Sequence, residues 1–294
     1  MINFHSLQQV IDEASERHCS IAELAIEYEC DNNLCSVTYI RDTMAQALKV
    51  MRHSRSLGLQ RQEKSFSGLT GAEAYQLMQK ADTKHMLIGE IGRTALAGAL
   101  AVAQMNAAMG KVVATPTAGS CGILPGALLA VADAYNYDED LIITALLTAA
   151  GVGLPIAYQA YIAGASGGCQ AECGTASAMT AAAIVEMLGG SPEQAGHAAA
   201  LAIKSIMGLV CDPVAGLVEI PCIKRNGFGA VQALTAAELA LAGIKSSIPI
   251  DEVILAMKEV GDNLPACYKE TAKGGLATTP TGLLLKDQVF KPQS

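Results

Sequence analysis

Hydrophobic and polar positions along this chain fall into helical runs separated by caps and glycines, and almost nowhere into the alternation of a half-buried strand. Ser20-x-x-Glu23 and Thr70-x-x-Glu73 have the spacing of capping boxes, in which free donors at a helix start are satisfied reciprocally. Ser191-Pro192-Glu193-Gln194 places a proline at the first helical position. Gly58, Gly110, Gly189–Gly190 and Gly243 close apolar runs. The pattern predicts helices near residues 6–17, 20–30, 36–57, 70–81, 86–109, 122–135, 139–153, 170–188, 192–207, 227–242 and 251–260, with one short strand candidate at Lys111–Ala114. The expected class is mainly α, a compact multi-helix domain interrupted by Gly/Pro-rich loops. The basic stretch Arg52–Lys64 divides the expectation into an N-terminal helical layer, 1–60, and a main body, 61–294.

Composition sharpens this picture. The chain has 294 residues and is 51% hydrophobic but only 4% aromatic, with no Trp. Ala, Gly, Leu and Ile carry the hydrophobicity, and small side chains let helices approach closely. A net charge of −8 argues against nucleic acid as a partner and suits a cytoplasmic enzyme. The nine cysteines are odd in number, and the charged opening MINFHSLQQVIDEASERH is unlike a secretory leader, so metal binding or burial is expected rather than disulfides. Leu141–Tyr158 holds 18 uncharged residues, the length of a short membrane span, but Gly151, Gly153 and Pro155 are expected to break it. A buried core helix is the expectation, with no membrane partner.

Three loops could carry chemistry. In the first, Ala114–Gly126 (ATPTAGSCGILPG), small residues precede an Ala/Leu-rich helix. Backbone N–H groups at such a start attract anions, and Thr117, Ala118, Gly119 and Ser120 form a candidate cradle for a small carboxylate. In the second, Cys169 follows Gly167-Gly168 where a helix would begin, a place that favours thiolate, with Cys173 on the same face. The third is GLVCDPVAGLVEIPCIKRN, residues 208–226. Pro213 and Pro221 stiffen it, which suits Cys211 and Cys222 to ligation better than to filling a core. The spacing of Cys169, Cys211 and Cys222 matches neither a zinc ribbon nor a ferredoxin run, and three thiols leave one metal position open. Lys204 lies shortly before Cys211 and is a candidate site residue or a structural charge partner. Lys224-Arg225 could offset thiolate charge. His197, in an Ala-rich run, reads as packed rather than catalytic.

These loops resemble the α chain of bacterial iron–sulfur L-serine dehydratase, an L-serine ammonia-lyase. The resemblance rests on SFSGLTG (65–71), TPTAGSCGILPG (115–126), GCQAECG (168–174), the 208–226 segment and YKETAKGGLA (268–277). It implies a mostly helical catalytic fold and a 4Fe-4S cluster held by Cys169, Cys211 and Cys222. An iron with a vacant position would bind the serine hydroxyl as a Lewis acid. Single-chain members carry an N-terminal domain that supplies active-site groups. That domain has no counterpart here, so a separate β chain is implied, and that chain is a candidate to carry the general base. Single-chain members also end in a cysteine on the fourth iron, whereas this sequence ends KDQVFKPQS. Water, Cys267, Cys173 or Cys121 are the alternatives, with water favoured. L-cysteine or L-threonine remain open as substrates, as does a non-catalytic helical protein whose cysteines bind zinc or nothing.

Overall fold

The computed structural model describes residues 4–80 and 86–290. It contains thirteen α-helices among the described residues and no strand beyond two isolated bridges. In order these are α1 Leu7–Glu16, α2 Ile21–Asn33, α3 Val37–Gln60, α4 Glu73–Lys80, α5 Gly89–Ala107, α6 Ile123–Tyr135, α7 Glu139–Gln159, the single turn α8 Gly164–Gly167, α9 Cys169–Met187, α10 Pro192–Ser205, α11 Cys222–Leu241, α12 Ile250–Asn263 and α13 Pro280–Phe290.

The axis of the molecule is α9. Its side chains are buried all round except for two acids, Glu172 in the first turn and Glu186 in the last. Helices α6, α7, α10 and α11 pack around it, and α5 lies outside α6 and α11. Such a helix reads as uniformly apolar and has no polar face to offer water. Small residues set the spacing. A Cβ at Gly126 would come within 2.5 Å of the Ala99 backbone of α5, and one at Gly58 within 2.2 Å of the Ala101 carbonyl. These crossings exist because both positions lack a side chain.

The capping boxes at Ser20/Glu23 and Ser191/Gln194 form as the sequence predicts, and Asp138 caps α7. Four expectations are corrected. Thr70 is not a cap, since its hydroxyl donates to Glu219 and the helix starts only at Glu73. Gly58 lies inside α3 rather than closing it. Residues Lys111–Ala114 pair with nothing and form no strand. Gly151, Gly153 and Pro155 do not break α7, because both glycines are used for close packing, Gly151 on Ile21 of α2 and Gly153 on Met179 of α9. One helix among the described residues, α7, is long and apolar enough to cross a membrane, and 67% of that stretch is buried inside this fold. Residue 81, at the end of the predicted 70–81 helix, and His85 lie outside the described residues.

Two predictions concern this core. Gly126→Ala should destabilise the protein by about 1–3 kcal/mol through overpacking against α5, read as a fall of several degrees in thermal unfolding. The second concerns Glu186, which accepts hydrogen bonds from Thr148 Oγ1 and the Ile21 amide. Burial raises its pKa above that of an ordinary glutamate. The folded state therefore binds more protons than the unfolded one above the ordinary glutamate range, and this contribution to stability is lost as pH rises through the folded pKa. The stability of Glu186→Gln relative to the parent should increase between pH 5 and pH 8. A constant difference in Tm over that range would show that Glu186 does not titrate in the folded protein.

Candidate active site

Three helix N-termini meet at one end of the bundle: α6 beginning at Ile123, α9 at Cys169 and α11 at Cys222. Helix α11 starts five residues earlier than its pattern predicts, because Gly227 and Gly229 pack against Leu96 and Ile123 instead of interrupting the helix. Cys222 is thus a first-turn residue, as Cys169 is, rather than part of an irregular loop. Each helix start directs its positive end toward the same region. Asn226 holds two of the starts together. Its Oδ1 accepts from the Gly122 amide at 2.8 Å, and its Nδ2 donates to the carbonyls of Gly119, at 2.7 Å, and Cys222, at 3.0 Å. The peptide bonds before Pro116 and Pro221 are cis.

Cys169, Cys173 and Cys211 share one buried cluster, and Cys222, also buried, lies close enough for its charge and that of Cys169 to act on each other's surroundings. Hydrogen bonds from the thiols of Cys173 and Cys211, and then the Arg225 guanidinium, hold the Cys169 thiol pKa down to about 3 despite its burial. Hydrogen bonding to Cys169 raises Cys211, and burial raises Cys222. The pocket therefore stabilises a thiolate with a cation built into the fold. Arg225 donates to the Val210 carbonyl at 2.8 Å and to Asp212 at 2.9 Å. Lys224, its neighbour, turns outward to Glu73.

The other sequence motifs converge here. Ser65 and Thr70 of the 65–71 loop both donate to the buried Glu219 carboxylate, at 2.6 and 2.5 Å. The 268–277 segment is tied to Cys211 on both sides, through its amide to the Tyr268 carbonyl and its carbonyl to the Glu270 amide, each at 2.9 Å. Asp212 accepts from the Leu276 amide at 2.8 Å. Gly275 has φ +61°, and a Cβ there would fall 2.4 Å from Asp212 Oδ2, so both conformation and space require glycine.

On the 115–122 loop the hydroxyls are committed to protein. Thr117 donates to Glu172, and Ser120 donates to the Thr115 carbonyl at 3.1 Å. The amides of Ser120, Cys121, Gly122 and Ile123 also have acceptors within the fold. The amides of Ala118 and Gly119 have none among the described residues. Lys204 is on α10 and donates to Ser246 at 2.9 Å, and His197 on the same helix is 3.5 Å from Glu193. Neither has a partner in the cysteine region. Cys121 is buried, and burial raises its pKa to about 12.

Sequence reasoning passes over Glu172, Glu219 and Asn226. Glu172 has its pKa raised to about 7, chiefly by burial. In sequence it looks like an ordinary acid in a helix first turn. Its partner Thr117 is 55 positions away, so only the fold exposes the pairing.

Comparison with known proteins identifies the chain's relatives. The family profile described as "Serine dehydratase alpha chain" matches residues 16–277. The chain is 45% identical over 287 residues to the "Probable L-serine dehydratase, alpha chain" of Bacillus subtilis, an alignment covering 98% of this chain and 95% of that one. It is 42% identical over 287 residues to the "L-serine dehydratase, alpha chain" of Peptoniphilus asaccharolyticus, covering 98% of each. The "L-serine dehydratase" of Streptomyces coelicolor is 39% identical over 93% of this chain, which spans 60% of that protein. All five motifs, from 65–71 to 268–277, fall within the matched region of residues 16–277, and the chain belongs to the serine dehydratase alpha chain family.

Proposed function

We propose that this chain is the catalytic α chain of an L-serine ammonia-lyase, converting L-serine to pyruvate and ammonia, and that Cys169, Cys211 and Cys222 hold a four-iron four-sulfur cluster. The observation that carries the reading is the burial of these three thiols, remote in sequence, at the junction of two helix N-termini with Arg225 beside them.

The residues present fit such a group. No three His, Cys, Asp or Glu side chains among the described residues converge on a single ion. A mononuclear zinc site needs all its donors within about 2.3 Å of one point, whereas each cysteine of a cluster binds its own iron and the set can spread. The thiols are backed by apolar Ile123, Ile206 and Leu209, and Arg225 offsets their charge. A Cβ at Gly164 would stand 2.9 Å from Cys211 Sγ, so glycine there lets the backbone pack directly against that thiol. When bound, the cluster supplies a Lewis-acidic iron for departure of the β-hydroxyl.

This chain's own groups do the positioning. The unused amides of Ala118 and Gly119, in the 117–120 loop, receive the substrate carboxylate. Asp212 holds Arg225 in place and anchors the 275–276 backbone over the thiols. Apolar packing keeps water from the Cys169 side. We assign removal of the Cα proton to a β subunit. Two relatives are named as alpha chains, and the Streptomyces protein extends well beyond the matched region.

Cys211→Ser should abolish both the brown iron–sulfur chromophore and ammonia release from L-serine after anaerobic reconstitution with iron and sulfide. An active, colourless variant would remove Cys211 from the ligand set. Ammonia release should also depend on adding the β subunit, and full turnover by this chain alone would overturn the assignment of the base to a partner.

A further inference from the structure

Glu172 is an acid in an unusual position. It is one of two residues of α9 that are not fully buried, and no lysine, arginine or histidine lies within ion-pair distance among the described residues. Arg225, the guanidinium beside the cysteines, is engaged by Asp212. Oε1 of Glu172 accepts the Thr117 hydroxyl, and Oε2 has no donor among the described residues. The carboxyl lies directly against the loop assigned to the substrate carboxylate, since a Cβ at Gly119 would meet Oε1 at 2.6 Å and Oε2 at 2.9 Å. On its other side, Oε2 and Cys211 Sγ both approach the backbone at Gly164. A Cβ at Gly164 would be 3.5 Å from the former and 2.9 Å from the latter. A largely desolvated carboxylate without a cation is costly, and a site that leaves it so is completed when a cation enters.

We propose that Glu172 binds the α-ammonium of the amino-acid substrate and makes the site selective for amino acids over the corresponding 2-hydroxy acids. The inference rests on the function proposed above. Carboxylate at Ala118–Gly119, ammonium at Glu172 Oε2 and β-substituent toward the cysteines form three non-collinear attachment points. Three such points also select one enantiomer. A hydroxyl in place of the ammonium gains no ion pair and leaves the carboxylate without a cation. Thr117, by donating to Oε1, fixes the carboxyl and leaves Oε2 for the substrate, which makes it a positioning residue.

The test uses the chain with its β subunit, reconstituted anaerobically with iron and sulfide, as wild type, Glu172→Gln and Glu172→Asp. Steady-state kinetics give KM and kcat for L-serine. Titration calorimetry gives the affinities of two unreactive probes, L-alanine and L-lactate, which differ only in carrying an ammonium or a hydroxyl. Wild type should bind L-alanine at least about tenfold more tightly than L-lactate. In Glu172→Gln the KM for L-serine and the Kd for L-alanine should both rise about tenfold or more, kcat should change much less, and the preference over L-lactate should vanish. Glu172→Asp, which keeps the charge, should retain part of that preference. Equal affinity of wild type for the two probes would overturn the proposal without any variant, should Glu172→Gln fail to fold. Unchanged KM and Kd in a folded Glu172→Gln would overturn it, as would a loss confined to kcat, which would place Glu172 in proton transfer. Wild type that turns over no L-serine would instead sink the proposed function, so the two failures are distinct.

Discussion

The ion pair between Arg225 and Asp212 is the constraint on which this end of the molecule depends. A guanidinium buried here would cost several kcal/mol without a partner. Asp212 supplies the charge, and the Val210 carbonyl takes a further donor. Arg225 belongs to the first turn of α11, Asp212 follows Cys211, and the same guanidinium helps hold down the pKa of the Cys169 thiol at the start of α9. One side chain thus ties the start of α11 to the segment carrying Cys211 and acts electrostatically on the thiol that opens α9. The second oxygen of Asp212 extends the constraint to Leu276, where only glycine at 275 allows the approach. Removing either partner would leave an uncompensated buried charge, so the pair acts as one unit.

Much of the helical fold is legible in the sequence because its signals are local. Ser20, Ser191 and Asp138 cap helices within three residues of themselves, and short-range spacing is enough to find them. The failures share the opposite property. Thr70 and Glu73 have the spacing of a cap, but Glu219 draws the Thr70 hydroxyl away across the fold. Pro155 and two glycines look like an interruption until Ile21, Ala25 and Met179 are seen filling the space against them. Tertiary packing overrides propensity at both places.

The site divides in the same way. Glycine and proline around Cys169, Cys211 and Cys222 mark unusual backbone, and that much shows in one dimension. Glu172, Glu219 and Asn226 do not, since their identity as site residues lies wholly in partners 55, 154 and 104 positions away. An isolated glutamate in a helix first turn already has an adequate explanation in the helix dipole. Nothing local would distinguish one that complements the dipole from one held against a loop on another helix.

The small-residue core and the site are two consequences of one choice of side chains. Alanine and glycine at the α5–α6 crossing let the backbones nearly touch, as Gly122 does at the Ala99 carbonyl, where a Cβ would be 2.2 Å away. Gly122 is also the residue whose amide Asn226 captures, immediately before α6 begins. The loop of residues 117–120 is therefore placed by the depth of the helix crossing behind it. Larger core residues would bury more apolar area per side chain but would push α6 outward, carrying the unused amides of Ala118 and Gly119 away from Glu172 and the thiols. A site built from backbone amides has no rotamers with which to recover such a shift. The low aromatic content of the chain is, on this argument, a condition of its chemistry.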